Sequence, residues 1–237
     1  MKTRSSIRSR VVPVLICLLI ALADLQAQEN SKTSRLLPVK VNGKWGYIND
    51  RGRIAIKPRF IVAGVFSEGL AKVRNDDSWF YYIDRHGRRI SNNSYFRYAD
   101  DFSEGLAMVQ GESSDDKIGF IDKTGKVVIS PRFDGYSGKI LWSFTDGLAI
   151  VAINDKFGYI DKRGTFVIDP QFQSAAPFSE GLAVVSKNGK YGFIDREGNT
   201  QIDYRFATAF GFSEGVASFS IDRQKFGLID KAIKKGK

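Results

Sequence analysis

Phe178-Ser179-Glu180-Gly181-Leu182-Ala183, then Tyr191-Gly192-Phe193-Ile194-Asp195, then Gly198, is the stretch that decides the fold of this chain. The first phrase starts at Phe66, Phe102, Phe144, Phe178 and Phe212, at spacings of 36, 42, 34 and 34 residues. The second phrase reads aromatic or Ile, Gly, apolar, Ile, Asp. It starts at Trp45, Phe80, Ile118, Phe157, Tyr191 and Phe226. A third phrase ends in Phe: Lys57-Pro58-Arg59-Phe60, Ser130-Pro131-Arg132-Phe133 and Asp169-Pro170-Gln171-Phe172, with weaker copies ending at Phe96 and Phe206. Self-similarity at a fixed period marks an array of small stacked units. Leu36 to Lys40 falls in register with Leu182 to Ser186, so the array opens and closes partway through a unit, between about Leu36 and Lys231.

Each unit reads as β. Leu182-Ala183-Val184-Val185 is a short apolar run, Lys187-Asn188-Gly189-Lys190 a hairpin loop, Tyr191 to Asp195 a second strand and Asn199 to Ile202 a third. Strand-length runs bounded by Gly, Asn, Asp and Pro are the hairpin signature, and the array shows no sustained helical period. A unit of about 35 residues is too small to fold alone, so its Phe side chains need cover from a neighbour. The expected fold is all-β: tandem antiparallel hairpin or three-stranded repeats in an open, solenoid-like array. The alternative is a closed propeller-like ring of about five units. Half-unit ends favour closure by strand exchange. Three visible strands per unit, rather than the four of a propeller blade, favour the open form.

The turn Asp-x-x-Gly recurs as Asp84 to Gly87, Asp122 to Gly125, Asp161 to Gly164 and Asp195 to Gly198, with Asn49 to Gly52 as a variant. Asp accepts from backbone amides ahead of it, and Gly takes φ > 0, which costs other residues roughly 1 kcal/mol. Another glycine closes each Ser-Glu-Gly phrase or its copy: Gly69, Gly105, Gly147, Gly181 and Gly215. The strand glycines Gly46, Gly119, Gly158, Gly192 and Gly227 imply close backbone approach, expected to set the packing distance between neighbouring units.

Lys44-Trp45-Gly46-Tyr47-Ile48, followed by Pro58-Arg59-Phe60 and Phe66-Ser67-Glu68-Gly69-Leu70-Ala71, resembles the bacterial WG-repeat family. The resemblance spans nearly all of the chain after residue 35. It implies an all-β repeat array, often exported, with interaction roles and no catalytic residue set. Only the first unit has a literal Trp-Gly, at Trp45. The second unit departs furthest, with Tyr81 in place of Gly and Ser94 in place of Pro.

Residues 1–27 read as a secretory signal peptide. Lys2, Arg4, Arg8 and Arg10 precede an apolar run of 12 residues, Val11 to Leu22, and Leu25-Gln26-Ala27 offers a cleavage site. That run is too short to span a bilayer comfortably, so no integral membrane span is expected after cleavage. Cys17 is the only cysteine, and Ile16 before it argues against a lipoprotein cut. The expected organisation is a signal peptide (1–27), a linker (28–35), an array of five to six units (36–231) and a basic tail (232–237). The expected address is exported: periplasmic, outer-envelope-associated or extracellular. The whole chain carries +10; residues 28–237 carry +7, with 32 Lys and Arg against 25 Asp and Glu. A basic surface suits a polyanion. Export turns that reading from nucleic acid towards anionic envelope glycan.

No catalytic, metal or cofactor constellation is legible. His86, the only histidine, occupies the turn slot held by Arg51, Thr124, Arg163 and Glu197 elsewhere. The ladder Glu68, Glu104, Asp146, Glu180 and Glu214 reads as a repeated turn cap, with Arg59, Arg132 and Arg205 as candidate partners. Asp76-Asp77 and Glu112 to Asp116 read as solvated loop tips. What breaks the repeat is aromatic: Trp79, Tyr81, Tyr95 and Tyr98 in the second unit, and Tyr136 and Trp142 in the longest spacing. Aromatic residues dominate binding hot spots, so these six form the candidate binding surface, against a reading as local packing repair.

The expected function is a non-catalytic exported module that binds protein or envelope glycan. The alternatives are a spacer without a ligand, and a hydrolase using ladder carboxylates. Oligomeric state is not legible. Because each unit needs its neighbour, a chain lacking one whole internal period, residues 144–177, is expected to keep a single cooperative melting transition. A chain lacking half that period is expected to lose it, as measured by circular dichroism.

Overall fold

The computed structural model describes residues 35–75, 79–91, 95–111, 117–135 and 142–231. Among them every regular element is a strand, and the strands form six antiparallel sheets in chain order. The first sheet holds β1 (Leu37–Val41), β2 (Lys44–Ile48) and β3 (Ile54–Phe60). The second holds β4 (Val62–Ala63), β5 (Leu70–Arg74) and β6 (Phe80–Asp84). The third holds β7 (Tyr98–Ala99), β8 (Leu106–Gln110), β9 (Lys117–Asp122) and β10 (Val127–Asp134). The fourth runs β11 (Trp142–Thr145), β12 (Leu148–Ile153), β13 (Lys156–Ile160) and β14 (Phe166–Phe172). The fifth runs β15 (Ser174–Ala175), β16 (Ala183–Lys187), β17 (Lys190–Ile194) and β18 (Thr200–Phe206). The sixth stops at β19 (Thr208–Ala209), β20 (Val216–Ser220) and β21 (Phe226–Asp230).

A complete sheet therefore has four strands, not three. The strand that the sequence hid is short: Ser174–Ala175 pairs with Val185 and Ser186 through two residues, too few to show a period of two. Among the described residues the first sheet has no such short strand and the sixth no outer strand, in line with the register of Leu36 with Leu182.

The core lies between sheets, not within them. Tyr159, Ile168 and Phe172 of the fourth sheet pack on Phe178, Ala183, Val185 and Ile194 of the fifth. The same positions recur at all five joints. The second strand of a unit is covered on both faces, which is why Leu148 to Ala152 is buried throughout and does not alternate. At each joint a central ring meets the next unit's phenylalanine: Tyr47–Phe66 at 4.8 Å, Tyr82–Phe102 at 4.9 Å, Phe120–Phe144 at 5.1 Å, Tyr159–Phe178 at 5.0 Å and Phe193–Phe212 at 5.1 Å. Steep interplanar angles of 53° to 64° suit the ring quadrupoles.

The array is open. Leu228 of the sixth sheet is 72% exposed, whereas Phe193 at the same position in the fifth is wholly buried. Leu37 of the first sheet is 41% exposed, and its counterpart Ala183 is buried.

The strand glycines act inside a sheet rather than between units, contrary to the expectation above. A Cβ on Gly158 would stand 2.6 Å from the Ile168 carbonyl oxygen and 2.8 Å from the Pro170 nitrogen, both on the outer strand of the same sheet. On Gly192 it would stand 2.7 Å from the Ile202 carbonyl oxygen. The outer strand is bulged here, with a register shift between the pairs Phe157↔Phe172 and Tyr159↔Ile168, and the bulge pushes its backbone onto the glycine. The second unit supplies the natural counter-example. With Tyr81 at this position, its outer strand is reduced among the described residues to the isolated bridges Phe80↔Phe96 and Ile83↔Arg89.

Gly158→Ala is expected to destabilise the protein by about 3 kcal/mol or more, because backbone must move. Gly227→Ala meets only the Phe219 ring, at 3.0 Å, and has no outer strand to displace among the described residues. Its cost is expected to stay near 1 kcal/mol. Urea unfolding of the two variants checks the contrast.

Candidate functional site

The repeated polar residues are occupied in joining units. Ser67, Ser103 and Ser179 each donate Oγ to the carbonyl of the next unit's phenylalanine, Phe102, Phe144 and Phe212, at 2.6 Å. The Glu68 carboxylate accepts from Gly105 N, Glu104 from Gly147 N and Glu180 from Gly215 N, at 3.0 to 3.2 Å for the nearer oxygens. The next unit also supplies a cation: Lys123 Nζ lies 2.8 Å from Glu68, Lys162 3.0 Å from Glu104 and Lys231 3.8 Å from Glu180. Asp146 is one methylene shorter, and there the pattern changes: Arg196 Nη2 donates to the Asp146 carbonyl.

The arginines do not pair with these carboxylates, which corrects the expected partnership. Arg59 Nη2 donates to Gly87 O at 2.6 Å and Arg132 Nη2 to Gly164 O. Each guanidinium also lies 5.0 Å from the ring of the following phenylalanine, Phe60 or Phe133.

The Glu of each turn holds φ near +52°, as in Glu104 and Glu180, and the following Gly is also positive. This is a type I′ turn with a side chain where Asn or Gly is preferred. Such backbone costs of order 1 kcal/mol or more, and persists where the surroundings over-determine it. The turn's own backbone pair, Ser179 N to Leu182 O and Leu182 N to Ser179 O, holds it, since Asp146 and Glu214 keep the same φ without a carboxylate bond to a next unit among the described residues.

The Asp-x-x-Gly turns form as read. Asp84 Oδ1 accepts from His86 N and Arg88 N, both at 2.9 Å, and Gly87 N donates to Asp84 O at 2.9 Å. Thr124 donates its hydroxyl to Asp122, and with backbone N–H groups this holds the Asp122 carboxyl below its ordinary range. Burial raises Asp84 and Asp195, but the hydrogen bonds they accept outweigh it and both lie below normal. Glu68 is lowered chiefly by the Lys123 ammonium. Burial pushes the Tyr47 and Tyr159 hydroxyls up, so both remain donors, to Gly64 O and Ala176 O at 2.8 Å. His86 is an exposed turn residue, its Nδ1 3.8 Å from Asp84. Among the described residues no three His, Cys, Asp or Glu side chains gather to hold a metal ion. A crevice between the fourth and fifth sheets, lined by Ser143, Tyr159 and Phe178, has no room for a water molecule.

The six candidate aromatics divide. Tyr81 is 8% exposed and belongs to the core between the first two sheets. Tyr98 is half-buried against the third joint. Trp79 is half-buried, 5.7 Å from the Arg97 guanidinium. Tyr95 is 41% exposed. Tyr136 lies outside the described residues, as do both acidic loops, and Trp142 is described only as the first residue of β11.

Sequence reading missed what joins Tyr81 to Tyr95. The Arg89 guanidinium sits between their rings, 4.1 Å from Tyr81 and 3.8 Å from Tyr95, and Nη1 donates to the Tyr95 hydroxyl at 2.7 Å. Its Nε and Nη2 are buried without a hydrogen-bond partner among the described residues. The available signal was positional. Arg89 occupies the slot of Ile54, Val127, Phe166 and Thr200, where β-formers otherwise stand.

A family profile described as "WG containing repeat" matches residues 45–79, 118–157, 157–191 and 191–223. The gap from 80 to 117 begins one residue before Tyr81, in the unit that departs from the repeat. No curated protein matches the sequence. Similar solved structures are β-propeller-like. A eukaryotic initiation factor aligns with TM-score 0.55 at 11% identity, over 86% of this chain and 62% of its own. Hsv2 of Kluyveromyces marxianus aligns with TM-score 0.50 at 10% identity, over 86% of this chain and 71% of its own. At these identities the likeness concerns the fold alone.

The lowered carboxyls fix a pH dependence. Groups depressed on folding stabilise the protein above their unfolded pKa and lose that contribution as pH falls through the folded value. The melting temperature is expected to hold level above about pH 5 and to fall steadily below about pH 4. Asp122→Asn is expected to flatten part of that fall in an acid series followed by circular dichroism.

Proposed function

Since this chain belongs to the WG containing repeat family and its repeated residues are occupied in joining units, we propose that it is an exported, non-catalytic interaction module for protein or anionic envelope glycan. The second unit is its contact surface. The observation that carries this reading is the non-repeated cluster of Arg89 between Tyr81 and Tyr95, with Arg97 beside Trp79. Packing repair alone explains Tyr81, which is buried, but not the exposed Tyr95 and Arg97. Guanidinium groups beside aromatic rings offer cationic and stacking contacts together, the pairing that dominates binding hot spots. The ladder carboxylates Glu68, Glu104 and Glu180 are each bound to a neighbouring glycine and lysine, which disfavours a hydrolase built on them.

The test is retention of residues 28–237 on an immobilised acidic polysaccharide, in parallel with capture from envelope extract. The double variant Tyr95→Ala, Arg97→Ala is expected to lose at least about tenfold in retention or capture, because hot-spot truncations cost upwards of 1 kcal/mol each. Equal behaviour of wild type, variant and an unrelated basic protein overturns the reading and leaves a spacer.

A further inference from the structure

Both ends of the array expose the surfaces that are buried at every internal joint. On the last sheet, Phe210, Val216, Phe226 and Leu228 occupy the positions of Ala176, Leu182, Tyr191 and Phe193, all packed in the fifth joint. All four are exposed: Leu228 at 72%, Phe226 at 61%, Phe210 at 53% and Val216 at 39%. The Ser213 and Glu214 side chains, whose counterparts bridge to a next unit, are also exposed. Among the described residues β21 has no outer strand. On the first sheet, Leu37, Val39 and Ile48 occupy the positions of Ala183, Val185 and Ile194. Those three are fully buried, whereas Leu37 is exposed and Val39 and Ile48 are half-buried.

We propose that the last sheet of one molecule docks on the first sheet of a second copy, so that the protein associates head to tail through a sixth version of its own joint. Continuity selects this occupant. Five joints within the chain already mate these two faces, and each end of the chain carries the half that the other lacks. The last sheet adds ring volume of its own, Phe210, 6.4 Å from Phe226, where the fifth has Ala176. The polar ladder does not continue across the new joint. Asp50 stands where Lys123, Lys162, Arg196 and Lys231 stand internally, and Arg35 replaces the turn glycine. The association is therefore led by apolar contact and is weaker than an internal joint. Because the two surfaces differ, the contact is heterologous and adds copies in series, unlike a two-fold dimer. The charge of +7 on residues 28–237 opposes it, so salt strengthens it by screening.

The test is sedimentation velocity and light scattering on residues 28–237, which hold every core cluster described, from about 5 to 200 µM and from about 50 to 500 mM salt. The average mass is expected to rise above that of one chain with concentration and with salt. Leu228→Asp and Leu37→Asp are each expected to remain monomeric with an unchanged melting temperature, since both side chains are exposed in the single chain. Mixed in equal amounts they are expected to give a species of two chains and nothing larger, because one sound face of each kind remains. A wild type that stays monomeric throughout overturns the proposal. If Leu228→Asp then also lowers the melting temperature, the two ends meet within one chain; if it does not, the end faces serve another partner. A single variant that associates as the wild type does, or a mixture that stays monomeric, equally overturns it.

Discussion

The central ring of each of the first five sheets is covered by a phenylalanine that belongs to the next sheet, and everything else in the array follows from that dependence. A single sheet has one short strand and three longer ones, too little to enclose a core of its own. Tyr159 is buried because Phe178 closes over it, and Phe178 is placed by a turn two sheets' edges share through Ser179, Glu180 and their bonds to the sixth sheet. Stability is therefore a sum over joints, and a sheet without a neighbour presents an apolar face.

The turns that place those phenylalanines are held under strain. Glutamate with positive φ is an unfavourable choice for a type I′ turn, yet it recurs where Asn would relieve the backbone. Asn is too short to reach the next unit's glycine N–H. The shortened Asp146 shows the consequence, since its side chain gives way and Arg196 bridges to its carbonyl instead. Residue choice at these positions answers to the joint, not to the turn.

The second unit departs from the others at several positions, of which Tyr81 bears most directly on its sheet. Tyr81 replaces the glycine that lets a bulged outer strand approach, and among the described residues the outer strand is reduced to isolated bridges. The ring turns into the first joint, and the space beside it is taken by Arg89 and Tyr95. A defect in the repeat has thus produced a surface unlike the rest of the array, and it is where the family profile fails to match.

The sequence by itself determined the period, the all-β class, the Asp-x-x-Gly turns and the partial units at both ends. Those features rest on contacts within a few residues, or on the order of phrases along the chain. It could not assign the repeated Gly, Glu and Arg to their partners. Most units carry the same residues at these positions, so a contact inside a unit and a contact with the next unit leave the same pattern. Only the tertiary structure separated them. It set Gly158 against its own outer strand, Glu104 against the next unit's glycine, and Arg59 against a turn 28 residues away. It also decided that Tyr81 is core, that Arg89 joins Tyr81 to Tyr95, and that the array is open. These outcomes depend on how sheets stack, which only the cover of one sheet by another fixes.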